Sequence, residues 1–280
     1  MLFEMMETFR SILLESKIDF SKTIVERISA GSVYAETELK PKDFIRFAKQ
    51  DFSIKDKKGL INAITNAKRA IDCQIDNTLF CIGINPDKIL KTSESLVKDC
   101  ISKNNELPYK LKLIQSLGFS PGNLTANVRT LRHKLEHYYQ IPKFIEVEEA
   151  IEIAELFILA IESKSKIMEN EFLISSENFN EIKSDKIKSN SHDILDTLSY
   201  ETQIRIEFNF GTKEIEIIPF FENVFFDKFK ISSKHSVFYY LIRLLNNLDD
   251  HLDAEQDLRL LLHHCNHPIS TNNIKISQYS

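Results

Sequence analysis

Residues 127–142 read NVRTLRHKLEHYYQIP and place Arg129, Arg132, His133 and His137 on one short stretch. These side-chain types suit work on a phosphodiester. Histidine titrates near neutrality and can take a proton from a ribose 2′-hydroxyl, while an arginine fork binds phosphate oxygens as charge builds on them. Two other readings fit the same string. A His-x3-His pair can chelate zinc, although no third ligand of suitable spacing stands nearby and Arg132 and Lys134 disfavour a cation. A solvated helix face needs no ligand at all.

The element that must carry these groups is a helix. Leu124, Val128, Leu131, Leu135 and Tyr138 recur at spacings of four, three, four and three; at about 100° per residue they fall within about 80° of one another and set a core direction. His133 and His137 lie about 40° apart on nearly the opposite side, and Arg132 sits on the flank of the stripe. Neither histidine is then a core residue. Ser120 and Pro121 in GFSPG suit the cap and first position of this helix, and Pro142 its end.

Arg132-His133-Lys134-Leu135-Glu136-His137 is an R-x4-H string with a polar residue directly after the arginine, late in a run of helices. It resembles the signature of HEPN domains. The resemblance covers roughly residues 42–164: a long helix ending in AKRAIDCQID, a pair of shorter helices, the motif helix and a closing helix. It implies a metal-independent endoribonuclease with no cofactor, RNA as substrate, and Arg132 and His137 as catalytic pair, with His133 at the polar second position. It also implies a homodimer with a composite active site, in a defence or toxin–antitoxin setting with an antitoxin or defence-system partner. Arg132 and His137 are about 140° apart around the helix, too far for one helix to focus both easily on one phosphate. A two-fold dimer relieves this, because each histidine can face a groove completed by the other chain.

Asp72, in the long helix, is placed to orient a motif arginine or histidine, with Lys68 and Arg69 beside it as further supporting residues; a plain surface carboxylate neutralised by those cations is the other reading. A second R-x4-H string, Arg259 to His264, has leucine at its second position and lies outside the bundle, so it reads as coincidence. His263, His264, Cys265 and His267 are rich in ligand types, but without a second cluster a helix C-terminus that favours histidine is the simpler account. There is no Gly-rich phosphate loop and no GxSxG elbow. The competing function is a non-catalytic helical module that binds RNA, a nucleotide or a protein partner.

Composition sets the surroundings of this helix. A hydrophobic fraction of 42% and a charged fraction of 28% are those of an ordinary globular chain, which argues against disorder. Six glycines and seven prolines in 280 residues point to long helices over a turn-rich barrel. The net charge of −5 excludes a generally basic nucleic-acid coat, but residues 40–69 hold nine basic against three acidic residues, which suits a basic cleft for phosphates. The longest strongly apolar run, LFILAI at 156–161, is far short of the ~20 residues a bilayer span needs, and no leader pattern opens the chain. Four cysteines without CxxC spacing then read as free thiols of a soluble cytoplasmic protein.

The expected fold is mainly α: a helical bundle over 1–165, HEPN-like from about 42, then a polar connector over 166–200 and a small α+β domain over 201–280. Met6, Phe9, Ile12, Leu13, Phe20, Ile24 and Ile28 suit one or two leading helices. Helices are expected from Pro41, after Gly59, over 87–102, over 109–117 and over 144–161. In the last domain QIRIEFNF and KEIEIIPF flank Gly211-Thr212 as a hairpin, and helices follow over 234–247 and 254–264.

Overall fold

The computed structural model describes residues 2–32, 37–101, 107–120, 126–166, 168–181 and 199–279. Its helices are α1 (Leu2–Glu15), α2 (Pro41–Ser53), α3 (Lys57–Cys81), α4 (Glu94–Cys100), α5 (Tyr109–Ser116), α6 (Ala126–Tyr138), α7 (Phe144–Lys166), α8 (Ser236–Asn247) and α9 (His251–His264). Its strands are β1 (Thr23–Gly31), β2 (Met168–Ser176), β3 (Gln203–Asn209), β4 (Glu214–Phe221), β5 (Val224–Phe225), β6 (Phe229–Ile231) and β7 (Ile276–Tyr279). The chain divides into two compact units, one of residues 1–31, 90–99 and 168–280, the other of residues 32–89 and 100–167.

The first unit is built on a seven-stranded sheet in the order β5-β4-β3-β2-β1-β7, with β6 also on β4. All pairings are antiparallel except β1 with β7, so the sheet is mixed. In the β3–β4 hairpin Ile204, Ile206 and Phe208 pair with Pro219, Ile217 and Ile215, all buried, while Glu207 and Glu216 alternate with them. The turn is fixed by Asn209, whose side-chain oxygen accepts from the amides of Gly211 and Thr212 at 2.9 Å each. Helix α8 buries every residue from Val237 to Asn247 except Arg243 and packs on β2 and α9. Asp250 caps α9 by accepting from Leu252 and Asp253.

This sheet overturns the expectation of a mainly α chain, with an N-terminal bundle followed by a small α+β domain: the fold is α+β around a large sheet. Only the β3–β4 hairpin was expected; β1 and β2, the strands that extend the sheet most, were hidden. Ile24 and Ile28 are four apart, a spacing that keeps one face on a helix and on a strand alike; Thr23, Ile24, Val25 and Ile28 are β-branched, and they form β1. The Phe172-Leu173-Ile174 island within the expected connector is fully buried at the centre of β2, between β1 and β3. A strand covered on both sides reads as a continuous apolar run without alternation, and polar flanks dilute it. Residues 182–198 of that connector lie outside the described residues.

The second unit is helical. Pro41 opens α2 at its first turn, and Asp56 caps α3 by accepting from the Gly59 amide at 2.6 Å. A Cβ on Gly59 would lie 2.4 Å from the Asp51 carbonyl oxygen, so only glycine allows this approach of α3 to the end of α2. Ile64, Ala67, Ile71, Ile75 and Leu79 make α3 the buried axis of the unit, and α2, α5, α6 and α7 pack around it. Among the described residues no helix is long and apolar enough to cross a membrane.

Candidate functional site on helix α6

Helix α6 is held to the core by Val128 and Leu135, with Leu131 half-buried. Leu124, Pro121 and Gly122 lie outside the described residues. Tyr138, the last member of the expected core stripe, is instead 64% exposed. The helix ends there, and Tyr139 turns the chain away with φ of 53°, a left-handed conformation that glycine usually fills at a helix C-terminus.

The histidines lie where the spacing puts them. His133 and His137 are both exposed and stand against each other, ring centroids 4.4 Å apart, with Tyr138 edge-on to His133 at 5.8 Å. Arg132 sits on the flank, its side chain 20% exposed, and pairs with Glu136 one turn later at 2.6 Å. The structure therefore groups the two histidines and separately engages Arg132; it does not join Arg132 to His137 on one helix.

Asp72 reaches α6 through an arginine outside the R-x4-H pair. Arg129 pairs with Asp72 at 3.5 Å, across from α6 to α3, and Lys68 pairs with the same carboxylate from its own helix. Arg69 is exposed. Arg129, His133 and His137 are each four apart and so form a row along one helix face, a signal present in the sequence. The Arg129–Asp72 contact has no local signal, since it joins separate helices.

Part of the basic segment is ion-paired. Lys42 pairs with Glu162 and Lys49 with Glu155, both at 2.6 Å, and Arg46 with Asp43 at 3.0 Å. These cations rim a groove of about 570 Å³ between α2 and α7 whose floor is Ile45, Ile158 and Leu159. Three of the nine basic residues of 40–69 thus rim a groove of ion pairs over apolar side chains.

The C-terminal ligand-rich residues diverge. His264 meets Ser236 at 2.7 Å, His267 lies edge-on to Phe20 at 5.0 Å, and Cys265 is buried, its thiol pushed up to about 12 by that burial. Arg259, of the second R-x4-H string, holds the Ile274 carbonyl and Glu255. Among the described residues no group of three or more His, Cys, Asp or Glu is arranged to hold a metal ion.

No family model matches the chain, and no characterised protein or solved structure shows significant similarity to it.

Proposed function

We propose that the chain is a metal-independent endoribonuclease of HEPN type, acting on RNA as a homodimer in a defence or toxin–antitoxin setting. The observation that carries the reading is the exposed, touching His133–His137 pair on a helix that also presents Arg129 and Arg132. The two histidines are exposed, so packing does not account for them. His137 takes the proton of a ribose 2′-hydroxyl, whose oxygen attacks the adjacent phosphorus, and the 5′ oxygen leaves as it takes a proton from water. Arg132 leaves Glu136 for the non-bridging oxygens as their charge grows, and His133 orients its neighbour. Tyr138, Tyr139, Ile141, Phe144 and Ile145 are exposed apolar side chains beside this face, and a second copy would cover them while completing the site.

The test is RNA cleavage by the full chain beside His137→Ala and Arg132→Ala. Each change should lower the rate about 10²- to 10⁴-fold. Products should carry 2′,3′-cyclic phosphate and 5′-hydroxyl ends, and a 2′-deoxy residue at the scissile position should block the cut. Light scattering should give about twice the 32.5 kDa chain mass. Cleavage that persists in His137→Ala removes that residue from the mechanism; RNA binding without cleavage by the wild type replaces the enzyme with a binding module.

A further inference from the structure

The first unit holds a pair of side chains that the α6 chemistry does not use. His264, in the last turn of α9, brings Nε2 to 2.7 Å from the hydroxyl of Ser236, the first residue of α8. We infer that Ser236 and His264 form a nucleophile–base pair, a second reactive centre that accepts acyl groups from activated esters.

Both members are fixed in place. The imidazole lies flat on Tyr240, centroids 4.1 Å apart and planes 12° apart, and the Tyr240 hydroxyl donates to Asp99 at 2.6 Å. The chain entering Ser236 is tied at Ser233, whose carbonyl accepts from the hydroxyls of Thr92 at 3.0 Å and Tyr239 at 2.9 Å. A nucleophile on such a support needs little reorganisation to react. Ser236 and His264 are both only partly buried, so a small ester can reach them. In the first turn of α8 the Phe238 amide is taken by the His235 carbonyl, so an oxyanion hole rests on the amides of Ser236 and Val237.

The environment suits a base. Asp99, His263 and Tyr240 surround the His264 ring. Burial holds its imidazole below the usual histidine range, with Asp99 opposing. The ring is then neutral at pH 7, and the Asp99 carboxylate steadies the imidazolium formed during reaction.

In the step, His264 Nε2 takes the hydroxyl proton as Ser236 Oγ bonds to the carbonyl carbon, and the C=O pair moves onto oxygen. Collapse expels the alkoxide or phenolate, which takes the proton from Nε2. Water, giving its proton to the same nitrogen, then releases the acid and restores Ser236.

The test treats the full chain with a fluorophosphonate probe and maps the adduct by mass spectrometry. The expected result is a single adduct on Ser236, absent from Ser236→Ala and at least ten times slower in His264→Phe. The phenylalanine keeps a flat ring against Tyr240, and an unchanged melting temperature shows that the fold is retained. Labelling of the wild type should rise with pH, with its inflection below the ordinary histidine range. p-Nitrophenyl acetate should give a burst of p-nitrophenolate that Ser236→Ala loses. An unlabelled wild type, a label on another residue, or a labelling rate unchanged in His264→Phe overturns the pair as a reactive centre and leaves a hydrogen bond that ties α8 to α9.

Discussion

Arg132 on α6 and Arg243 on α8 make ion pairs of nearly equal length, 2.6 Å to Glu136 and 2.5 Å to Asp257, and the two mean different things. Asp257 is 1% exposed and also accepts from the Asn247 side-chain amide at 2.7 Å; Glu136 is 46% exposed. In α8 the pair lies among side chains that are nearly all buried, so its geometry is fixed by packing. In α6 the arginine is nearly as covered, its side chain 20% exposed, but its carboxylate partner stands in solvent, so that pair can open where the other cannot. Equal distances therefore mark a structural charge in one helix and an available one in the other.

The largest expected effect is on the structural side. Removing one partner of a buried ion pair leaves a charge without compensation, which destabilises by about 3–5 kcal/mol. Asp257→Ala should lose about that much in urea unfolding. Phe238→Ala, which empties a fully buried site on the same helix, should also lose about 3–5 kcal/mol. His133→Ala and His137→Ala should stay within about 0.5 kcal/mol of wild type. A large loss for either histidine variant would mean that the α6 face is packed, and the contrast would fail.

How much of this was legible in the chain follows the same division. The α6 face could be read because Arg129, His133 and His137 repeat at one helical spacing and local spacing is what a sequence displays. The β3–β4 hairpin was legible for the same reason, as alternation around Gly211-Thr212. What was lost depends on distant partners. β1 and β2 pair with each other across the whole second unit, and neither carries a turn signal linking it to the other. Tyr138 continues the stripe of Val128 and Leu135 in sequence, yet α6 ends there and the ring faces outward. The Arg129–Asp72 and Ser236–His264 contacts join elements that nothing local connects.

A smaller effect should separate the two regions by pH. His235, His264 and His267, all in the first unit, have imidazoles held below the ordinary value of 6.5, in each case mainly by burial. Because the unfolded chain takes these protons first, stability is complete above about pH 6.5 and is lost as pH falls through the folded values. Urea midpoints at pH 7.5 and 5.5 should differ in that direction, and His264→Phe should flatten the difference. An unchanged slope in that variant would show that His264 contributes nothing to it.

Tyr139 offers a third measure. Its φ of 53° strains an L side chain by about 1–2 kcal/mol, while its ring, 86% exposed, returns little packing. Tyr139→Gly relieves the strain but adds backbone freedom to the unfolded chain, so a net gain of about 0.5–1 kcal/mol is expected. If the ring is part of the two-fold contact, the same variant should dimerise more weakly by light scattering. Greater stability with undiminished dimerisation would take Tyr139 out of the interface.

The smallest expected change in stability comes from Glu136→Gln, the exposed counterpart of Asp257→Ala. A surface pair one helical turn apart contributes about 0.3–0.5 kcal/mol, less in salt, because water screens it and both side chains lose freedom in making it. Urea unfolding should therefore barely register the substitution. RNA affinity should move the other way. With Glu136 neutral, Arg132 keeps its charge but loses its competitor, so a phosphate no longer has to displace a carboxylate, and a 2′-O-methyl RNA, which cannot be cut, should bind several-fold more tightly to the variant. The gain should vanish in the Arg132→Ala, Glu136→Gln double variant, because the only group it released is gone. Equal tightening with and without Arg132 would mean that the lost negative charge acts on RNA at large, and Arg132 would then be as structural in α6 as Arg243 is in α8.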